Sequence, residues 1–185
     1  MLKSESPADR TREATMTACT TLSSPVGDLF LVGEESGTAP GGTALTSLSM
    51  PGQRRVPVVQ GGGRRDPGAF AVIAAQIGAY FDGELDCFDI EFTVSGSDFQ
   101  QRVWAAVEEI PYGTSTTYGA LAARLGMARA DVRALGGAIG ANPLLLVRPC
   151  HRVVGADGSM KGYAGGLEAK RHLLTLEGVL QPMLG

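Results

Sequence analysis

Cys150 and His151 are the residues best equipped for chemistry in this chain. They stand side by side in the run Arg148-Pro149-Cys150-His151-Arg152-Val153-Val154. The thiolate form of cysteine is the nucleophile, and a free thiol is mostly protonated at neutral pH. A neighbouring imidazole or guanidinium raises the anionic fraction. A carboxylate behind the imidazole would orient it and stabilise its protonated form. Glu177 is the plausible candidate. It lies four residues beyond Leu173, at the edge of the apolar stripe Leu173, Leu176 and Leu180 of a helix predicted to start near Leu167. A glutamate drawn towards an interior needs a partner. Adjacent side chains seldom stack on one another, so a water bridging His151 and Cys150 is expected. On spacing alone, a Cys-His pair ranks as a chance neighbour.

The elements that would position these residues fall in the second half of the chain, which reads as helical. Ser97 and Gln100 form a Ser-x-x-Gln capping box before the apolar face Phe99, Val103, Val107 and Ile110. Thr117 can cap a second helix with Leu121, Ala122 and Leu125 inward, stopped at Gly126. A third begins near Ala128, buries Val132, Leu135, Gly136 and Ile139, and ends at Asn142-Pro143. The second and third helices form a helix-turn-helix candidate. Arg129 and Arg133 share the outer face of the third, which Gly137 continues. Two glycines inside a helix cost about 1 kcal/mol each relative to alanine, which suggests close approach by another backbone or a ligand. The alternative is glycines packed against a neighbouring helix below a solvated arginine face. Downstream, Gly162-Tyr163-Ala164-Gly165-Gly166 lacks the Gly-Lys-Ser/Thr ending of a phosphate-binding loop. It can also let main-chain groups approach a flat ligand beside an aromatic wall.

The first half reads as a small α+β unit. Strands are predicted at Thr20–Ser23, Asp28–Val32 and Thr43–Ser49, with a turn at Pro25-Val26-Gly27. Asp66-Pro67 opens a helix with Phe70, Ile73, Ala74, Ile77 and Phe81 on one face, ended by Gly83. Phe88 to Ser95 alternates apolar and polar residues, as a half-buried strand does. Nothing in this half suggests chemistry. The predicted division is a disordered tail at 1–17, an α+β unit at 18–95 and a helical unit at 96–185.

Composition limits the function classes. The 185 residues carry a net charge of -3, 44% hydrophobic residues and 6% aromatics. Nucleic-acid contact would therefore need local clustering. Such a cluster exists in sequence: Arg124, Arg129, Arg133, Arg148, Arg152, Lys161, Lys170 and Arg171 face few acids. Three scattered cysteines and two histidines make a structural metal site hard to assemble, so none is expected. A sparse, odd cysteine count fits a reducing compartment, and no apolar run reaches membrane-spanning length. A cytoplasmic protein is expected.

The run from Pro149 to Val154, with Asn142-Pro143 upstream and Gly162 to Gly166 downstream, strongly resembles the O6-alkylguanine-DNA alkyltransferase family. The match spans Phe99 to Gly178. The first half resembles the family only in layout and in pieces such as Ser24-Pro25-Val26-Gly27 and Tyr80-Phe81-Asp82-Gly83. The resemblance implies an RNase H-like first unit and a winged-helix-like second one. It implies a monomer that binds duplex DNA from the minor groove, with cooperative binding left open. The damaged base would be swung out of the stack.

By the same resemblance, Arg133 fills the vacated place, and Tyr118 crowds the target phosphate, contacts the flipped base and supplies a proton to the departing guanine. Thr117, Arg129, Gly136, Gly137 and Arg152 belong to the DNA-facing set. Asn142 holds the turn into the site. Cys150 attacks the alkyl carbon, His151 acts through water as base, and Glu177 orients it. Tyr163, Leu145 and Trp104 line the pocket, while main-chain groups near Val153 and Ala164 read the guanine edge. No cofactor is implied. The transfer is irreversible, so each molecule acts once. O4-methylthymine is a further substrate left open.

Two departures stand out. Leu145 replaces a proline of some relatives, which would widen the pocket. Arg148 replaces a usual aliphatic residue, and could favour thiolate, touch DNA or strain a packed position. A thiol hydrolase and a non-repairing, lesion-binding helix-turn-helix protein are the alternatives.

Overall fold

Alternation of apolar residues builds the sheet. Strands β1 (Thr17–Leu22), β2 (Leu29–Glu35) and β3 (Thr43–Ser49) form an antiparallel meander, and β4 (Arg64–Arg65) adds in parallel to β1, giving the order β3-β2-β1-β4. Leu29, Leu31, Leu45 and Leu48 are completely buried on the covered face. The predicted turn at 25–27 is present, closed by Gly27 N–H to the Ser24 carbonyl at 3.0 Å. The computed structural model describes residues 16–53 and 63–181. The tail predicted for 1–17 lies outside the described residues except for Met16 and Thr17, and Thr17 opens β1. Most of the glycine-rich stretch preceding Arg64 also lies outside them.

Asp66 caps the next helix as predicted, accepting from Ala69 N–H at 3.2 Å. The first turn, Pro67–Phe70, is a 3-10 helix that runs into α1 (Ala71–Phe81). Phe70, Ile73, Ile77 and Tyr80 face inward, and Gly83, at φ +73°, turns the chain away.

The strand predicted at Phe88–Ser95 is a correction. The segment is extended but meets β3 at a single bridge, Leu45 with Phe92. Its other main-chain groups find a competitor: the Gln76 side chain accepts from Asp89 N–H at 2.7 Å and donates to the Asp89 carbonyl at 2.8 Å. A side-chain amide occupying both groups of one residue leaves no ladder to propagate there.

The second half supplies α2 (Asp98–Glu108), β5 (Thr116–Thr117), α3 (Tyr118–Arg124), α4 (Val132–Gly140), β6 (Val153–Val154) and α5 (Leu167–Leu176). Both bonds of the Ser97–Gln100 capping box form, and the Thr117 hydroxyl caps Ala120 N–H at 3.1 Å. The turn before α4, Arg129–Asp131, is again 3-10. A short parallel pair, β5 with β6, fastens the start of α3 to the exit of the Cys-His turn.

Among the described residues the result is an α+β fold in which a small sheet and five α-helices share one buried cluster running from Leu29 to Leu173. Main-chain bonds stitch the sheet to the chemistry. Leu48 N–H donates to the Pro143 carbonyl at 2.9 Å, and Leu145 N–H to the Leu48 carbonyl at 3.1 Å. The segment leading to Cys150 is thus held by β3. No helix among the described residues is long and apolar enough to cross a membrane.

Candidate active site

Cys150 and His151 lie on a 3-10 turn, Cys150–Arg152, entered through a tight bend. Leu146 in that bend has φ +71° with its side chain buried. A non-glycine residue held there costs about 1–3 kcal/mol and persists because its surroundings fix it. Asn142 is buried and ties the bend together. Its Nδ2 donates to the carbonyls of Leu144 and Arg148 and to Cys150 Sγ, each at 3.2 Å, while its Oδ1 accepts from Leu144 N–H at 3.0 Å.

Behind the turn, Glu177 ends α5 and is the hub of a buried cluster. Its Oε1 accepts from Tyr80 Oη at 2.7 Å, from His151 Nε2 at 2.7 Å and from Arg152 Nη2 at 3.0 Å; its Oε2 accepts from Arg152 Nε at 2.8 Å. Burial alone would raise the carboxyl's pKa, but the donors from His151, Arg152 and Tyr80 outweigh it and hold it at about 2. Burial drives the His151 pKa down despite the opposing pull of Glu177, so the imidazole is neutral. A neutral ring that donates from Nε2 has its lone pair on Nδ1. That atom is buried and has no hydrogen-bond partner among the described residues. His151 is therefore a base whose acceptor nitrogen is unengaged.

The thiol departs from expectation. Burial pushes the Cys150 pKa up, and the Asn142 bond and the charges of Lys170 and Arg148 offset this only partly. Neighbouring cations do not by themselves make the sulfur anionic, so a base must take its proton.

Cys150 opens into a cavity of about 440 Å³ lined by Tyr118, Gly136, Ile139, Gly140, Tyr163 and Ala164, among others. Tyr118 donates to the Lys161 carbonyl at 3.2 Å, and burial raises the pKa of both cavity tyrosines. A Cβ on Gly136 would meet nothing nearer than Tyr118 at 4.0 Å, and one on Gly137 would face open space. The helix glycines are therefore not filling a helix–helix contact. Arg129, on the 3-10 turn before α4, and Arg133, on α4 itself, are both exposed.

Several predicted site residues sit elsewhere. Arg152, assigned to DNA, is buried against Glu177 and the Ile110 carbonyl, which it reaches at 2.6 Å. Trp104 packs under the site, with its indole N–H on the Ala138 carbonyl at 2.9 Å. Leu145 is fully buried in the core and is not one of the residues lining the cavity. Val153 has both main-chain groups engaged, its N–H with the Cys150 carbonyl and its C=O with Lys170 Nζ at 2.6 Å. Thr117 Oγ1 accepts Ala120 N–H as the cap of α3, a bond that does not use its O–H as a donor.

The basic cluster also shrinks, because Arg148, Arg152 and Lys170 are all buried. Lys170 Nζ donates to the carbonyls of Val153, Lys161 and Gly162, and burial lowers its pKa to about 8. Of the predicted cations, Arg129, Arg133 and Lys161 remain as exposed groups with no ion pair among the described residues. Arg124 pairs with Glu109, and Arg171 with Glu168.

The first half contributes more than the sequence suggested. Tyr80 reaches Glu177 from α1, and Gly52 and Gln53 line the cavity. Met50 Sδ lies 3.7 Å from Tyr163 Oη, and a Cβ on Gly165 would come within 2.5 Å of that sulfur. The glycine-rich loop thus needs Gly165 to pack on its own chain. A tyrosine inside the apolar stripe of α1 was the available signal, since a buried phenol seeks a polar partner.

The comparisons with known proteins agree with this geometry. The family described as 6-O-methylguanine DNA methyltransferase, DNA binding domain, matches residues 98–179. The methylated-DNA–protein-cysteine methyltransferase of Mycolicibacterium paratuberculosis is 46% identical over 157 residues, covering 85% of this chain and 90% of that protein. Its counterpart in Methanosarcina acetivorans is 40% identical over 84% of this chain and 94% of its own length. The crystal structure of Mycobacterium tuberculosis O6-methylguanine methyltransferase superposes with a TM-score of 0.77 at 43% identity, covering 91% of this chain and 97% of that one. The Mycobacterium tuberculosis OGT solved in complex with DNA gives 0.76, also at 43% identity, over 88% and 93% of the two chains. With a buried cysteine beside a His-Glu pair and opening into a cavity bordered by α3 and α4, and with relatives this similar over nearly their whole length, the chain belongs to the methylated-DNA–protein-cysteine methyltransferase family.

Proposed function

We propose that this protein repairs O6-methylguanine in duplex DNA by moving the alkyl group onto Cys150 Sγ, once per molecule. The observation that carries the reading is the position of that sulfur. It lies at a cavity bordered by Gly136 of α4, three residues from the exposed Arg133 on the same helix. A base leaving the duplex beside α4 has a short route to the sulfur. We read the approach as one from the minor groove by a monomer. Arg133 enters the place the base vacates, while Arg129 and Lys161 meet phosphates. The first half serves as an RNase H-like support and the second as a winged-helix-like reader, with the division near residue 96.

The reaction follows from the charges. The Cys150 proton passes through a bridging water to Nδ1 of neutral His151, and Glu177, held anionic, stabilises the imidazolium. The sulfur forms its bond to the alkyl carbon as the carbon–O6 bond breaks. The departing guanine takes a proton from the Tyr118 hydroxyl, and Tyr118 recovers one from His151 through solvent. The Ala164 main chain and the Tyr163 ring frame the base. A thioether offers no leaving group for the reverse step, so the protein is consumed. A thiol hydrolase with the same three residues would turn over repeatedly and ignore DNA.

Intact-mass measurement after mixing with a duplex containing O6-methylguanine should show one added methyl per chain, placed on Cys150 by peptide mapping. Many lesions processed per molecule, or a methyl located on Cys19 or Cys87, would overturn the reading.

A further inference from the structure

Arg148 is a cation where the family resemblance leads one to expect an aliphatic side chain, and it is 2% exposed. Its charge is held on three sides. Nε donates to Glu108 Oε1 at 2.7 Å, and the guanidinium carbon lies 4.7 Å from the Trp104 ring centre and 5.3 Å from that of Phe92. Trp104 and Glu108 are four residues apart on α2, so one helix face presents both the indole and the carboxylate. The fork's other arm points at the active site, where Nη1 donates to Asn142 Oδ1 at 3.3 Å. The opposite end of that amide donates to the nucleophile through Asn142 Nδ2.

We propose that Arg148 is a positioning residue for the nucleophile: clamped by Glu108, Trp104 and Phe92, it fixes and polarises the Asn142 amide that donates to Cys150 Sγ. An amide can turn over and exchange its oxygen for its nitrogen. Here the oxygen already accepts Leu144 N–H, and a second, charged donor makes the turned arrangement one of donor against donor. A cation on the oxygen also strengthens the N–H bonds at the far end, because linked hydrogen bonds polarise one another. Those bonds are worth most once the sulfur is anionic. An aliphatic side chain at 148 would fill the space but supply neither effect. The proposal rests on Cys150 being the alkyl acceptor, but concerns the state of its sulfur rather than the identity of the substrate.

The test follows the rate at which Cys150 of the full chain is carbamidomethylated by iodoacetamide as pH rises, resolved by peptide mass spectrometry from Cys19 and Cys87. The other polar groups around the sulfur are Lys170 of α5, Tyr118 of α3, Tyr163 of the glycine-rich loop and the adjacent His151, and they are common to all variants. Arg148→Met should move the midpoint up by about one pH unit, a tenfold loss of thiolate at neutral pH. Arg148→Lys, which keeps a charge but not the fork, should recover part of that shift. Methyl transfer from a duplex should fall by a similar factor at pH 7.5, with the deficit closing at higher pH. An unchanged midpoint in both variants, or a rate lost equally at every pH, overturns the proposal. Should Arg148→Met not fold, the Lys variant decides alone, because a purely structural arginine predicts no midpoint change in it. Absence of methyl transfer in the unaltered protein would sink the repair reading, while a midpoint shift would leave the role of Arg148 standing.

Discussion

Replacing Glu177 with glutamine tests the buried cluster most directly. The carboxylate accepts four hydrogen bonds from three side chains, and its pKa falls from the ordinary 4.5 to about 2. That difference corresponds to about 3 kcal/mol of stability at neutral pH. Glutamine would keep one acceptor oxygen but turn an N–H₂ group towards Arg152, whose charge would then be buried without an anion. Breaking one side of a buried pair in this way costs about 3–5 kcal/mol. Because the folded pKa is depressed, the stabilisation is complete above about pH 4.5 and is lost as pH falls towards 2. Urea unfolding of the two proteins at pH 7, 5, 4 and 3.5 reads this out. The stability gap should be widest at pH 7 and narrow by about 1 kcal/mol between pH 5 and 3.5. A gap of constant size across that range would refute the claim that Glu177 is ionised against its three donors.

Three further outcomes are expected. Arg133→Ala should slow methyl transfer from duplex DNA at least about tenfold more than reaction with the free alkylated base, since flipping is needed only in the duplex; equal losses would argue against insertion into the vacated place. Arg129→Ala should lower the salt dependence of DNA binding by about one phosphate contact, whereas Arg152→Met should destabilise the fold and leave that slope unchanged; titrations from low to moderate salt separate them. Lys170, with a pKa of about 8 against an ordinary 10.5, costs the folded state most below pH 8. Stability should therefore gain about 2 kcal/mol from this group between pH 7.5 and 9.5, a component that Lys170→Met should lack in paired urea unfolding curves.

What was legible in the sequence is what neighbouring residues decide. Ser97 with Gln100, Asp66 before Pro67 and Thr117 before α3 each form the cap their spacing implies, and the strand at Thr43–Ser49 matches residue for residue. Of the set Cys150, His151 and Glu177, read from one dipeptide and one misplaced glutamate, His151 and Glu177 do meet, while the Cys150 sulfur is bonded by Asn142 instead. Groups whose partners lie far along the chain were not legible. Arg148, Arg152 and Lys170 counted as surface charge, yet a carboxylate 40 residues away, another 25 away and three main-chain carbonyls draw them inside. Phe88 to Ser95 alternated like a strand, but the distant Gln76 took its main-chain groups at Asp89. The first half looked idle because the reach of Tyr80 to Glu177 spans 97 residues.

That reach bears on modular engineering. A transplant carrying residues 96–185 onto another amino-terminal carrier would arrive with a His151–Glu177 pair short of the Tyr80 phenol, and with a cavity lacking the wall that Gly52 and Gln53 supply here. Any new carrier must therefore offer a hydroxyl donor at the position of Tyr80 and a sulfur-sized shoulder for Gly165. Donor scaffolds for such a chimera are best chosen by those two groups rather than by overall likeness.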